Sequence, residues 1–412
     1  MARHSDSAHA RRIATGIVRT LRDAGHVAYF AGGCVRDELL GLEPTDYDVA
    51  TDATPGRIES LFPRTADVGA SFGVILVRQG NVTIEVATFR SEGPYTDRRR
   101  PDAVTFSDAK HDAQRRDFTV NALFLDPLAV GEGQSGVIDF VGGVEDLRAK
   151  LLRAVGDPDA RLAEDHLRAL RAVRLAARLR FTIDPATAEA IRRHAAHLQG
   201  VSRERIGDEL RRILSHPSRV TAVALLDDLG LTPQVLTDDK AGAERGVLGR
   251  LPPEVSFACA LAAWATDRTG SAAGVEAVAR RLRTALCLSN DESDAVRGIA
   301  EAAAFVLDTW ASASVAGQKR VAAGRWFTEG LVLSEAIDAD RAAAVRHDVM
   351  RLASDGIGVS PHAWVTGDDL VTLGFEPGPG FRRALDRVYD AQLEGRVRTR
   401  AEALELAKRL GV

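Results

Sequence analysis

The chain has 412 residues, 45% hydrophobic and 27% charged, with a formal net charge of -4. That length exceeds one ordinary hydrophobic core and implies about two to four domains. No apolar run approaches the roughly 20 residues that cross a bilayer, and the start, MARHSDSAHARR, lacks the apolar stretch of a signal peptide, which excludes a membrane protein and points to the cytoplasm. Cys34, Cys259 and Cys287 are far apart and without metal-type spacing, so they indicate neither a disulfide framework nor a zinc site. Lysine occurs only at 110, 150, 240, 319 and 408, leaving arginine as nearly all of the positive charge. The arginine fork suits phosphate and base contacts, although a GC-rich genome produces the same bias.

The first third reads as mixed α/β. HVAYFAGG (26–33) and DYDVAT (46–51) have strand patterns. TPGRIESLF (54–62) reads as a short helix with Thr54 as N-cap, Pro55 at the first helical position and Pro63 as the stop. GVILVRQGNVTIEVATF (73–89) splits around Gln79, Gly80 and Asn81 into a hairpin. From about residue 145 the pattern becomes helix after helix, rich in Ala, Leu and Arg. Weaker joints lie at 215–219, 236–246 and 354–363, where Gly, Pro and Asp gather.

Several stretches carry chemistry. In AGGCVRDELLG (31–41), Gly32 and Gly33 follow a strand and open a helix closed by Gly41, with Arg36 one turn inside. Such a turn lets a phosphate approach the backbone, and it also serves as a plain strand-to-helix connection. Asp46 and Asp48, two apart on a strand, put both carboxylates on one face, a pairing that suits a divalent cation and equally a solvated strand end. Glu85 is either a third carboxylate at that site or an outward-facing strand residue.

AQRRDFTVNALFLD (113–126) places Arg115, Arg116, Asp117 and Asn121 around an apolar strand. DFVGGVEDL (139–147) supplies a second Gly-Gly turn. GDPDARLAEDHLRALRAVRLAARLRF (156–181) reads as one helix begun by Asp157 and Pro158. On it, Asp165 and Arg168 are i,i+3 neighbours, and Arg168, Arg171, Arg174 and Arg178 form a basic stripe, either an RNA-binding face or an ordinary charged surface.

Together these stretches resemble the class II tRNA nucleotidyltransferase and bacterial poly(A) polymerase family, and most of all its CCA-adding enzymes. GGCVRDELLG with DYDVATDATP, TFRSEGPYTDRRRPDAVTF, RRDFTVNAL, DFVGGVEDL, EDHLRALRAVR and RERIGDELRRIL occur in the family's order, from about residue 26 to 216. A weaker likeness returns at 366–397. The resemblance implies a multidomain α/β plus all-α chain: a nucleotidyltransferase (DNA polymerase beta-like) head with a small mixed sheet, then a helical neck, body and tail. The expected divisions are a disordered 1–10, a head at 11–148, a neck at 149–218, a body at 219–355 and a tRNA-binding tail at 356–412.

By this resemblance the tRNA 3′-hydroxyl attacks the α-phosphate of CTP or ATP, without a template, and pyrophosphate leaves. Asp46 and Asp48 hold Mg²⁺, with Glu85 as the third catalytic carboxylate. Gly32, Gly33 and Arg36 line the triphosphate site, and Arg116 and Asp117 meet the sugar and phosphates. Asp165 and Arg168 read the base, with Arg171 and Arg174 completing the pocket. The implied partners are tRNA, CTP and ATP. The loop SEGPYTDRRRP (91–101) is expected to be mobile and to reshape the pocket between C and A addition. Because ALAAWATD ends in Thr266 and Asp267 with few histidines nearby, the phosphohydrolase of some relatives is not expected. The alternatives are a poly(A) polymerase, an enzyme adding only A or only C residues, and, remotely, a non-catalytic RNA-binding protein.

Overall fold

The computed structural model describes residues 2–69, 73–92, 104–129, 136–238, 246–354, 356–375 and 378–410. Residues 93–101 of the expected mobile loop lie outside them. The chain forms two compact units, Met1–Glu209 with Thr221–Asp238, and Leu210–Val220 with Asp239–Val412. Among the described residues no helix is long and apolar enough to cross a membrane.

The first unit is organised by its strands: β1 (Ala28–Ala31), β2 (Asp48–Thr51), β3 (Thr65–Gly69), β4 (Val74–Gln79), β5 (Val82–Thr88), β6 (Arg90–Glu92), β7 (Val104–Phe106), β8 (Phe124–Leu125) and β9 (Val137–Ile138). Seven of them make one mixed sheet in the order β3-β4-β5-β2-β1-β8-β9. β2 and β5 run parallel, while the other neighbours in this sheet are antiparallel. The expected hairpin is β4–β5, turning at Gly80 with φ 63°. β6 and β7 pair as a separate ribbon, so Ser91 and Glu92, expected in the loop, are strand residues framing it.

Residues 2–10, expected to be disordered, lie in helix α1 (Ala2–Asp23). No glycine or proline interrupts its start, and Ala14, Ile17, Val18 and Leu21, all fully buried, form an apolar stripe packed on β1 and β2. Its exposed side is also tied down: Arg11 Nε donates to Glu38 at 2.7 Å, and Ser7 Oγ donates to the Pro44 carbonyl at 3.1 Å. Beyond it come α2 (Gly33–Leu39), α3 (Pro55–Leu61), α4 (Ala109–Gln114) and α5 (Gly143–Ala149). On one side of the sheet Ala31, Ala50, Phe89, Ala122 and Phe124 form a core, with Phe89 and Phe124 edge to face at 5.8 Å.

The single strand expected in 113–126 is instead the end of α4, a 3-10 turn at Thr119–Asn121 and the two-residue β8. Polar side chains draw the backbone out of the ladder here: Thr119 Oγ1 donates to Asp146 Oδ2 at 2.6 Å, and Asn121 Nδ2 donates to Asp117 Oδ1 at 3.1 Å. The second Gly-Gly turn is structural. Asp139 accepts from the amides of Val141, Gly142, Gly143 and Val144, and a Cβ on Gly143 would sit 2.2 Å from the Thr119 carbonyl.

After α6 (Pro158–Glu164), α7 (Arg168–Leu179) and α8 (Pro185–His194), helices α9 (Arg203–Leu214) and α10 (Arg219–Asp228) contain the boundaries between the units, and α11 (Thr232–Leu236) follows. A small parallel pair, β10 (Leu151–Leu152) and β11 (Thr182–Ile183), accompanies α7.

The second unit holds α12 (Gly246–Arg250), α13 (Phe257–Thr269), α14 (Val275–Ala285), α15 (Asn290–Ala304), α16 (Val315–Ala322), α17 (Phe327–Ile337) and α18 (Ala339–Ser354). In α13, residues Ala258 to Thr266 are buried all round, so it is the central helix. Asp267 accepts from the Val247 and Leu248 amides and thereby caps α12. Helices α19 (Gly367–Thr372), α20 (Pro379–Leu393) and α21 (Arg400–Leu410) close on an apolar cluster of their own around Leu370, Val388 and Ala403.

Arg219, 2% exposed, spans three backbone carbonyls: Nε donates to Leu214 at 3.0 Å, Nη1 to Pro252 at 3.1 Å and Nη2 to Pro253 at 2.5 Å. Arg219→Met keeps the aliphatic stem and orphans those carbonyls, so urea denaturation is expected to show a loss of about 3 kcal/mol. A loss below about 0.5 kcal/mol would show that water replaces the guanidinium without cost.

Candidate active site

Parallel pairing of β2 with β5 sets Asp48 opposite Glu85 in register. Strand periodicity places both on the side of the sheet that carries Ala50 and Ala87. Asp46 precedes the strand by two residues and is exposed, while Asp48 is half-buried. Burial pushes the Asp48 carboxyl up to about 7, and the charges of Glu85 and Asp46 push the same way. Burial and then Asp46 raise Glu85 as well. Three carboxylates therefore repel one another around the β2–β5 pair, and an all-oxygen set of this charge fits a hard divalent cation. The Cys34 thiol lies 4.0 Å from the Asp48 carbonyl, and burial raises it to about 12.

Gly32 precedes α2 with φ 77° and ψ -124°, a conformation natural to glycine, and a Cβ there would lie 2.8 Å from Arg116 Nη1. Arg116 therefore lies against the glycine turn. Its Nη1 donates to the Asn121 carbonyl at 3.0 Å, its Nε and Nη2 donate to Asp112, and its guanidinium stacks over Phe124 at 5.0 Å. Arg36 is placed differently from the expected triphosphate role. It is 4% exposed, with Nε and Nη2 on Asp37 and Nη1 on Asn121 Oδ1 at 2.5 Å.

The expected single helix at 156–181 breaks. Asp157 does cap α6, accepting from Ala160 N at 2.7 Å, but Asp165 turns extended at φ -152° and its Oδ1 accepts from Leu167 N at 3.0 Å, restarting the chain as α7. Asp165 and Arg168 remain neighbours without pairing: Asp165 Oδ2 accepts from Arg205 Nη2 at 2.6 Å, and Arg168 Nη1 donates to Glu164 and to the Arg161 carbonyl.

The arginine stripe is not an open basic face. Arg171 binds Asp117 Oδ2 through Nε at 2.8 Å and Nη2 at 2.6 Å, Arg174 Nε donates to Glu209 at 2.7 Å, and Arg178 lies 3.6 Å from Asp37. Asp117 is 8% exposed, with its Oδ2 held by Arg171. Burial alone would raise its carboxyl, but the charge and hydrogen bonds of Arg171, with Asn121, hold it down at about 2. Asp37, Asp112, Arg205 and Glu209, which complete these pairs, carry no local sequence signal.

Residues 28–153 match the family described as "Poly A polymerase head domain", and residues 180–238 match "Probable RNA and SrmB- binding site of polymerase A". The CCA-adding enzyme of Geobacillus stearothermophilus is 33% identical over 406 residues, covering 95% of each chain. The chain belongs to the CCA-adding enzyme family. The CCA-adding enzyme of Geobacillus sp. (strain WCH70) is 44% identical over 219 residues, a match that spans 53% of each chain, or about half the relative's length. Among solved structures, that of the Bacillus stearothermophilus CCA-adding enzyme in complex with CTP aligns over 96% of each chain with a TM-score of 0.74 at 28% identity.

For this CCA-adding family member the Asp117–Arg171 pair makes a stability prediction. Because the folded carboxyl, at about 2, lies below its unfolded value near 3.8, the pair stabilises fully above the unfolded value and is lost as pH falls toward the folded one. Asp117→Asn is expected to cost about 2 kcal/mol near pH 7, less than a fully buried pair because the Arg171 side chain is 36% exposed. In urea titrations the gap between wild type and variant should hold constant down to about pH 5 and narrow below about pH 4. A gap independent of pH would assign the loss to packing.

Proposed function

We propose that this chain adds CCA to tRNA 3′ ends from CTP and ATP without a template, in the cytoplasm, the tRNA 3′-hydroxyl attacking the nucleotide α-phosphate and pyrophosphate leaving. The observation that carries this reading is the carboxylate set: Asp48 and Glu85 in register across the parallel strands, with Asp46 beside them. Family membership along nearly the whole chain supports it, as does the likeness to a relative whose structure is described in complex with CTP.

Asp46 and Asp48 would hold Mg²⁺, with Glu85 alongside; burial raises Asp48 first, the charges of Glu85 and Asp46 add to it, and a cation there would relieve that added repulsion. When bound, the ion neutralises phosphate charge and assists the in-line displacement. The chain's own groups do the rest. Gly32 and Gly33 let the triphosphate approach the backbone, and Arg116, seated against Gly32, adds positive charge there. Arg36 acts from behind, holding the turn. Asp165 and Arg168 offer an acceptor and a donor, matching the exocyclic amine and ring nitrogen that cytosine and adenine share and that uracil and guanine reverse. Reading a base would exchange their present partners, Arg205 and Glu164, for its edge. Helices α20 and α21, in the segment expected as the tail, are assigned to tRNA contact, as the stripe on α7 is neutralised.

The test is incubation of purified wild type and Asp48→Asn with labelled CTP or ATP and tRNAs ending before CCA, after C and after CC. Wild type should extend every substrate to CCA and stop. Asp48→Asn should lose at least about a thousandfold in addition rate, roughly 4 kcal/mol of transition-state stabilisation, with tRNA affinity within about twofold. Extension of unrelated RNA into long A tracts would favour a poly(A) polymerase, and addition of only A or only C the partial enzymes. Normal turnover in Asp48→Asn would remove the carboxylates from the mechanism.

A further inference from the structure

Away from the carboxylates, three histidines gather where α6, α7 and α8 meet. His166 lies in the break between α6 and α7, His194 ends α8, and His197 follows in the 3-10 turn Ala195–Gly200. One nitrogen from each ring lies within 4.8 Å of one from each of the others. The rings are in mutual contact: His166 stacks on His197 at 4.9 Å, and His194 lies 5.4 Å from His166 and 5.5 Å from His197. His166 is buried, His194 half-buried and His197 exposed, so the group is rooted in the protein and open on one side.

His194 Nε2 is 3.2 Å from Asp159 Oδ1, and a carboxylate only accepts, so Nε2 carries the proton. Nδ1 is buried and without a hydrogen-bond partner. Asp159 is itself fixed by Arg193, whose Nε and Nη2 donate to it at 3.1 and 2.7 Å. A carboxylate that orients one ring nitrogen so that the other is free is the usual outer support of a metal-bound histidine. The C-terminal end of α8 adds a favourable field for a cation.

We propose that His166, His194 and His197 form a three-imidazole site for a borderline transition-metal ion, Zn²⁺ in the first place, with the fourth position open at the exposed His197 side. Nitrogen donors favour zinc over the hard cations suited to the carboxylate site. Zinc–nitrogen bonds of about 2.0–2.1 Å bring tetrahedral donors to about 3.3 Å apart, which rotation of the exposed His197 ring and small shifts of the other two can supply. The ion would clamp the α6–α7 break to the end of α8. It has no part in the phosphoryl transfer proposed above and stands independently of it.

The test uses the full chain without an affinity tag, freed of metal, and titrated with Zn²⁺ against a chromophoric chelator in excess Mg²⁺. Wild type should bind one zinc per chain, with Co²⁺ giving the visible spectrum of a tetrahedral nitrogen site. His197→Gln, at an exposed position that leaves the fold intact, should weaken binding at least about a hundredfold, and His194→Gln likewise. Asp159→Asn should weaken it about ten- to a hundredfold. Histidine ring proton resonances should shift on zinc addition in wild type alone, with circular dichroism checking that the variants are folded. Undiminished binding in folded His194→Gln and His197→Gln, loss of the zinc in Asp48→Asn, or no zinc binding by wild type would each overturn the proposal.

Discussion

The first unit depends on one buried polar chain that begins at the two-point grip of Arg171 on Asp117. Asp117 also accepts from Asn121, Asn121 accepts from Arg36, Arg36 binds Asp37, and Arg178 reaches Asp37 from the same helix as Arg171. The chain thus runs from α7 through the 119–121 turn and α2 back to α7. In a low-dielectric interior each member polarises the next, and removing one leaves a charge with no compensation. The Gly32–Gly33 turn, whose helix carries Arg36, and the helix beginning at Arg168 are held at fixed distance by this network.

That arrangement changes what the arginines are for. On an isolated amphipathic helix a row of four at intervals of three and four is an open basic face. Here the row is matched by Glu164, Asp117, Glu209 and Asp37, and it joins elements rather than awaiting RNA. Arginine suits this work because its planar fork makes two bonds to one carboxylate, as Arg171 does, and its charge survives burial.

How much was legible follows from the range of each interaction. The hairpin at Gly80, the glycine turn and the Asp46–Asp48 spacing are local patterns, and the fold keeps them. Glu85 was open in sequence because only the pairing of β2 with β5 sets it opposite Asp48. The arginine stripe was unreadable for the same reason: Asp117 is 54 residues from Arg171, and Glu209 is 35 from Arg174. The α6–α7 break was hidden in a continuous helical period because a side-chain bond from Asp165 to Leu167 N overrides it. His194 and His197 are three residues apart, and His166 joins them only through tertiary packing.

The parallel pairing of β2 and β5 bears on how the head assembles. A parallel pair cannot close through a tight turn, and here α3, β3 and β4 lie between its strands. The Asp48–Glu85 register is therefore a non-local contact, formed after the loop entropy of that connection has been spent. It also brings like charges face to face, which opposes closure. Of these elements β5 is made last, so a nascent chain reaches the Asp48–Glu85 pairing only after α3, β3 and β4 have emerged.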